Sequence, residues 1–164
     1  MPDFHICPTT NEDQEWVARL ITDHWGDDLM VAHGETFIIS QLPGFAAFEG
    51  DEPVGLVTYN ITGGECEITS LDSLREGKGI GSALIEAVKS TAHEAGCKRL
   101  FLITTNDNIE ALRFYQRRGF VLAALRPRAV EKARIIKPQI PLIGNHGIPI
   151  RDEIELEIAL ENPE

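Results

Sequence analysis

Cysteine, positive charge and long apolar runs are all scarce in this sequence. The three cysteines, Cys7, Cys66 and Cys97, are an odd number without metal-ligand spacing, which favours free thiols in a reducing compartment over a disulfide framework. No apolar run approaches the length of a membrane span. The start, Met1 to His5, lacks the pattern of a signal peptide. We therefore expect a cytoplasmic protein with no metal site and no membrane partner.

Basic residues are fewer than acidic ones. Lys and Arg number 15 against 26 Asp and Glu, and the net charge of −11 argues against nucleic acid as a partner. The same charge is compatible with a cationic acceptor molecule. A chain of 164 residues with 43% apolar content has the size and composition of one globular domain, so we expect a single domain over residues 1–164.

A glycine-rich stretch, Arg75 to Ser82, separates a predicted strand from a predicted helix. The residues before it, Glu65 to Leu74, have the pattern of a strand. After it, Ile80, Leu84 and Val88 recur at helical spacing. Glycine lets a backbone approach a ligand, and a helix start offers unpaired N–H groups and a partial positive charge. This combination predicts an anion cradle, most often for phosphate.

Two common phosphate motifs do not fit this stretch. Gly79 follows Lys78 where the phosphate loop of nucleotide hydrolases needs Ser or Thr. The dinucleotide fingerprint needs a third glycine, which would fall on Leu84 or Ser82. An ordinary strand-to-helix turn is the plain alternative for the stretch taken alone.

A second motif runs from Asn108 to Phe120 and reads Asn-x-x-Ala-x-x-x-Tyr-x-x-x-Gly-Phe. Here the chain resembles the GNAT superfamily of N-acetyltransferases. That family typically carries Gln/Arg-x-x-Gly-x-Gly/Ala at its pyrophosphate loop, matched by Glu76, Gly79 and Gly81. Glu76 departs from the pattern. Since family members use main-chain N–H groups there, phosphate binding is expected to survive the change.

The resemblance implies a fold, a cosubstrate and a set of contacts. The implied fold is α/β (α+β), with a mixed sheet of six or seven strands, helices on both faces and a splayed pair of central strands. The implied cosubstrate is acetyl-CoA. The residues expected to bind it are Leu71, whose N–H would meet the acetyl oxygen, Gly77, Lys78, Gly79, Ile80, Gly81, Ser82 and Asn108.

Acetyl transfer to an amine places chemical demands on three further residues. A lysine-like amine has a pKa near about 10.4, so a base or a desolvating pocket is needed. Glu67 and Asp72, on or just after the predicted strand, are the candidate bases, with surface solubility as the alternative role for each. Tyr115 resembles the family's general acid for the leaving thiolate, with a core tyrosine as its alternative. For Asn108 the alternative is plain helix capping.

A first helix, capped at Thr10 or Asn11, is predicted to end at Gly26, and the residues His24, Trp25, Asp27, Asp28 and His33 cluster around its end. Asp27 to His33 is predicted to form a second, shorter helix. The polar and aromatic residues there match no metal-ligand spacing, so solvated side chains are the plain interpretation. In the resembling family this joint lines the acceptor site.

Residues 126–150 are predicted to form an insertion that is not standard in the resembling family. Its first half, Arg126 to Lys137, has a net charge of +4 and can form a short helix after Pro127. Its second half, Pro138 to Ile150, is expected to exclude regular structure. One interpretation is a basic solvated face followed by a floppy loop. The other is a lid over the acceptor site or an arm of a homodimer.

Three classes of function follow from these patterns. The first is an enzyme, an N-acetyltransferase that moves an acetyl group from acetyl-CoA to a primary amine of a small molecule or protein. The second is a non-catalytic acyl-CoA sensor on the same fold. The third is an interaction protein that uses Arg126 to Lys137 to bind an acidic partner.

Overall fold

The computed structural model describes residues 3–160 and contains nine strands and four α-helices within that range. Seven strands form one mixed sheet in the order β1-β4-β5-β6-β7-β9-β8, and β2 and β3 form a separate two-stranded sheet. The fold class predicted from the sequence is therefore confirmed. The elements are β1 His5–Pro8, α1 Gln14–Trp25, β2 Leu29–Ala32, β3 Glu35–Ile38, β4 Gly44–Glu49, β5 Glu52–Thr62, β6 Glu65–Ser73, α2 Ile80–Glu94, β7 Arg99–Thr105, α3 Ile109–Gln116, β8 Val121–Arg126, α4 Ala129–Ile136 and β9 Glu153–Ala159. None of the helices between residues 3 and 160 has the length and apolar composition of a membrane-spanning helix.

The chain divides into two compact units. Among the described residues, the first unit holds 3–30, 38–100 and 160, and the second holds 31–37 and 101–159. The single-domain expectation for residues 1–164 stays a prediction.

In the first unit, β1, β4, β5 and β6 pair antiparallel in that order. The predicted apolar side of α2 is buried, with Ile80 at 1% exposure and Leu84 and Val88 at 0%. Gly55 on β5 allows this packing, because a Cβ there would lie 2.6 Å from Ile80 Cγ2. The helix predicted before Gly26 also forms. It begins after a 3₁₀ turn whose start is closed by a reciprocal capping box between Thr10 and Asp13.

The prediction of a helix over Asp27 to His33 is wrong. Leu29–Ala32 is a strand, and it pairs with Glu35–Ile38. His33 and Gly34 connect the two strands with φ values of 41° and 81°. Two successive positive φ values suit a tight β-hairpin and not a helix, because their twist matches that of the flanking strands.

In the second unit, β8 and β9 pair antiparallel, and α4 occupies the position predicted after Pro127. As predicted, the 138–150 loop contains no α-helix or β-strand; it has a short turn at Asn145–Gly147, with His146 at a φ of 61°, and an isolated β-bridge between Ile143 and Pro149. Polar contacts hold this loop. The Asp107 carboxylate accepts from Asn145 N (3.0 Å) and Asn145 Nδ2 (3.2 Å), and Asn106 Nδ2 donates to the Pro149 carbonyl (2.9 Å). The floppy-loop interpretation is therefore replaced by an anchored loop.

Candidate active site

The glycine turn has the backbone geometry that its sequence requires. Gly77 and Gly79 have φ values of 74° and 77°, in the left-handed region that other residues rarely adopt. No atom lies within 4 Å of a Cβ built at either position, so the requirement is for the backbone conformation and not for space. Ala83 N donates to Gly79 O at 3.0 Å, so the N–H groups of Ile80 and Gly81 precede the helical hydrogen-bond ladder.

Both basic side chains of the turn are paired with carboxylates. Lys78 Nζ lies 3.3 Å from Glu49 and 3.9 Å from Asp3. Arg75 lies 3.2 Å from Glu52 and 4.0 Å from Glu49. Lys78 and Arg75 are 42% and 40% exposed and the shared Glu49 is 24% exposed, so water and salt reach these ion pairs and weaken them. An anionic ligand at the turn would therefore displace the carboxylates from Lys78 at little cost in free energy.

A β-bulge sets the direction of the two candidate bases on β6. Thr58 pairs with Ser70 and Tyr59 with Ile68, so Thr69 is an extra residue in β6. Side chains alternate between the two faces of a regular strand, so Glu67 and Asp72, five positions apart, would point to opposite faces without the bulge. Because of the bulge, Glu67 pairs with Asn60 and Asp72 with Leu56, and both carboxylates share one face. This arrangement is not visible in the sequence.

Both candidate bases are buried, which replaces the surface role considered for them. Glu67 is 2% exposed and Asp72 is 9% exposed. Burial raises the pKa of Asp72, against smaller opposing effects of the Trp25 hydrogen bond and the nearby His24. Trp25 Nε1 donates to Asp72 Oδ2 at 3.3 Å, and His24 Nδ1 lies 3.5 Å from Asp72 Oδ1. These two contacts were missed by sequence reasoning, which found the polar cluster at the end of α1 but not its target.

Leu71, the expected amide donor, lies on β6 one residue before Asp72 and pairs with Val57. The first unit therefore brings together Glu67, Leu71, Asp72 and the 77–82 turn on one strand–turn–helix segment. Their roles toward a ligand stay predictions.

Asn108 and Tyr115 both lie in the second unit. Asn108 directly precedes α3, and Tyr115 is on the helix. Asn108 caps the helix, since its Oδ1 accepts from Ala111 N at 3.2 Å and its Nδ2 donates to Thr104 Oγ1 at 3.1 Å. Tyr115 is 6% exposed and packs edge-to-face against Phe114 and Phe120, with ring centroids 5.1 and 5.3 Å apart. The aromatic packing fixes the phenol ring, as a positioned acid and a core tyrosine would both require.

Comparison with known proteins identifies the family. The model of the acetyltransferase (GNAT) family matches residues 7–120. The chain belongs to the GNAT acetyltransferase family. It is also similar to the uncharacterized protein YdhI of Bacillus subtilis strain 168, with 47% identity over 150 residues that cover 91% of this chain and 94% of YdhI.

Solved GNAT structures share the fold. An acetyltransferase of Bacillus subtilis in complex with CoA has a TM-score of 0.68 and 20% identity, covering 98% of this chain and 100% of that one. A GNAT family acetyltransferase from Elizabethkingia anophelis with acetyl-CoA bound has a TM-score of 0.69 and 20% identity, covering 96% of this chain and 99% of that one. Membership of the family implies that this chain transfers an acyl group from acetyl-CoA.

Proposed function

We propose that this protein is an N-acetyltransferase that moves the acetyl group of acetyl-CoA to a primary amine, in the cytoplasm. The observation that carries the proposal is the β6–glycine turn–α2 segment, which lies inside the region matched to the GNAT family. Gly77 and Gly79, both with left-handed backbone conformations, directly precede α2. A helix start that binds phosphate needs such a turn before it. GNAT structures of the same fold with CoA or acetyl-CoA bound support this cosubstrate.

The phosphate contacts are proposed for the turn and the first residues of α2. The N–H groups of the residues from Gly77 to Ser82 donate to the pyrophosphate oxygens, and Lys78 exchanges its exposed carboxylate partners for phosphate. Leu71 N–H donates to the acetyl oxygen and stabilises the negative charge that develops on it. Asn108, which caps α3, contacts the pantetheine arm with its second carbonyl lone pair.

Asp72 is the better placed of the two proposed bases. A base for an ammonium group needs a pKa above that of an ordinary carboxyl, and burial raises the pKa of Asp72. Asp72 takes one proton of the ammonium group, and the free amine attacks the acetyl carbon. The attacking nitrogen loses its second proton to water, so that a neutral amide remains when the carbon–sulfur bond breaks. Glu67, on the same face of β6, is the alternative base, acting directly or through water.

Tyr115 is proposed to protonate the leaving sulfur as the carbon–sulfur bond breaks. A thiol has a pKa near about 8.5 and a phenol near about 10, so transfer to a full thiolate is mildly uphill and works best concerted with bond cleavage. The packing against Phe114 and Phe120 holds the ring for this step. Solvent returns the proton to the phenol.

The alternatives differ in what they predict for turnover. An acyl-CoA sensor would bind acetyl-CoA and release no CoA. The interaction-protein alternative is weakened because the basic segment is partly structural. Arg126 contacts Glu155 at 2.6 Å, and Arg134 donates to the carbonyl oxygens of Ile140, Pro141 and Ile150.

One experiment separates these alternatives. The purified protein is titrated with acetyl-CoA in a calorimeter and then incubated with acetyl-CoA and a panel of primary amines while free thiol is detected. Binding together with amine-dependent thiol release supports the enzyme. Binding without release for any amine assigns the sensor, and no heat at millimolar acetyl-CoA overturns both.

A further inference from the structure

A cavity of about 260 Å³ lies in the first unit, between the start of α1, the 3₁₀ turn Ile39–Gln41 and β5. Its floor is formed by Leu56 and Thr58, which are 0% and 1% exposed. Leu56 is the strand partner of Asp72 and Thr58 that of Ser70. Side chains of paired residues lie on the same face of a sheet. The cavity therefore lies against the face of the β5–β6 pair that carries the proposed base.

The wall of this cavity is fixed by polar contacts. The Asp28 carboxylate accepts from Ser40 N at 2.8 Å and from the Ser40 hydroxyl. The Thr58 hydroxyl is hydrogen-bonded to Thr69 Oγ1 at 2.7 Å and to Ser70 Oγ at 2.6 Å. A site that exists before a ligand arrives loses less conformational freedom on binding.

Three carboxamide side chains, those of Asn11, Gln14 and Gln41, are the polar groups left for a ligand. All three line the cavity and are exposed, and they make none of the side-chain hydrogen bonds found among residues 3–160. The hydroxyls of the wall already have partners, for instance Thr9 with the Gly44 carbonyl. Each carboxamide both donates and accepts.

The lining of the cavity is uncharged, although the chain carries a net charge of −11. No lining residue is charged, and the Asp28 carboxylate behind the wall is hydrogen-bonded to Ser40, so an ammonium or carboxylate group placed inside would leave water without a direct partner of opposite charge, which is costly. A hydroxyl group also both donates and accepts, so it matches a carboxamide without needing charge. The volume lies just below the range of pockets for drug-sized ligands, which begins at about 300 Å³, and so suits a single small ring or short polyol.

We propose that this cavity binds the uncharged, hydroxyl-bearing part of the amine acceptor, as in the ring of an amino sugar or the chain of an amino polyol. The proposal rests on the proposed function, because it assigns one part of the acceptor to one part of the same site. Asn11, Gln14 and Gln41 bind the hydroxyls, while the amine extends toward Asp72 on the shared face. A polyamine or an acidic acceptor would find no matching group in this cavity.

Side-chain carboxamide resonances in a ¹⁵N-correlated NMR spectrum test the cavity directly. Glucosamine is the probe, and cyclohexylamine is the matched control, since it has a six-membered ring and an amine but no hydroxyls. We expect glucosamine to shift the NH₂ signals of Asn11, Gln14 and Gln41 and cyclohexylamine to leave them in place. The exposed Gln116 carboxamide on α3, which donates to the Leu112 carbonyl, serves as the internal reference. Equal responses to the two amines, or none to glucosamine up to about 50 mM, would overturn the proposal, since binding weaker than the millimolar range is too weak for an acceptor site.

Kinetics with the same two amines separates this proposal from the proposed function. We expect a KM for glucosamine at least about tenfold below that for cyclohexylamine. The double variant Gln14→Leu/Gln41→Leu should raise the glucosamine KM by about tenfold or more, and Gln116→Leu should not change it. If glucosamine shifts the carboxamides but no amine of the wider panel is acetylated, the proposed function is wrong, and the cavity is a binding site for hydroxyl-bearing molecules and not for an acceptor. If both amines are acetylated with equal KM and no carboxamide shifts, the cavity assignment is wrong and the proposed function stands.

Discussion

The glycine turn at 75–82 and the loop at 138–150 are both irregular, but they are held in opposite ways. The turn depends on backbone conformation, with Gly77 and Gly79 at positive φ and solvent-accessible ion pairs of Arg75 and Lys78 beside them. The loop depends on side chains, above all Asp107 and Arg134, which bind its main chain. A required backbone conformation can be predicted from the residue type at that position, as with glycine at positive φ. A side-chain anchor can come from anywhere in the chain, so it is visible only in the structure.

The sharpest test of this contrast removes the anchor of the loop. Asp107 is 3% exposed and accepts from Thr105 Oγ1 (2.5 Å) as well as from both nitrogens of Asn145. Asp107→Ala leaves these donors without an acceptor, so we expect the free energy of unfolding to fall by about 2–4 kcal/mol in urea denaturation. The exposed Asp51→Ala variant should stay within about 0.5 kcal/mol of wild type. Equal stability of the two variants would show that the loop does not depend on Asp107.

A second variant separates chemistry from packing on α3. Tyr115→Phe keeps the ring between Phe114 and Phe120 and removes only the hydroxyl. We expect kcat to fall by about 100-fold where chemistry limits the rate, because general acids of this kind give about 10²- to 10⁴-fold. The melting temperature and acetyl-CoA affinity should change little.

The matched control for Tyr115 is the other tyrosine of the chain. Tyr59 of β5 stacks on Phe45 of β4, and Tyr59→Phe should retain wild-type kcat. A Tyr115→Phe variant with the same kcat as Tyr59→Phe would make Tyr115 a packing residue and leave solvent as the proton source.

The glycine turn is tested by a smaller change. Gly79→Ala forces an alanine into a φ of 77°, which costs roughly 1–2 kcal/mol of stability. We expect acetyl-CoA affinity to fall by about tenfold as well, because relaxing this strain moves the main-chain N–H groups. Gly63→Ala, at φ 62° in the β5–β6 hairpin, carries the same strain outside the turn. If calorimetry gave both variants the same acetyl-CoA affinity, the turn would not be the phosphate site.

The smallest expected effect concerns the pH dependence of Asp72. Burial raises the pKa of Asp72 in the folded protein above the ordinary carboxyl value of the unfolded chain. The folded state therefore holds this proton more tightly, and stability is lost as the pH rises from the ordinary carboxyl range through the raised value. Asp72→Asn removes this loss, so its stability relative to wild type should increase with pH across that window. Chemical denaturation from pH 3 to 7 checks this, and parallel stability curves would contradict the raised pKa.

The sequence predicted those features that depend on periodicity or on a special residue. The apolar side of α2, the glycines at positive φ and the cap at Asn108 all follow from local chemistry. It could not predict the bulge at Thr69, which turns Glu67 and Asp72 to one face, because an extra residue in a strand is decided by pairing with β5. The hairpin at His33 and Gly34 was mistaken for a helix because the short apolar run Leu29 to Ala32 does not distinguish a strand from a helix.

Transfer of an isotope-labelled acetyl group tests the central claim most directly. The protein is incubated with acetyl-CoA labelled in the acetyl carbonyl and with a primary amine, and the products are separated and identified by mass spectrometry. The account predicts that the label moves to the amine nitrogen, that one CoA is released for each amide formed, and that Tyr115→Phe slows both by about 100-fold. Label that stays on CoA with every amine tested, although acetyl-CoA binds, would contradict the account and make the protein an acyl-CoA-binding member of its family.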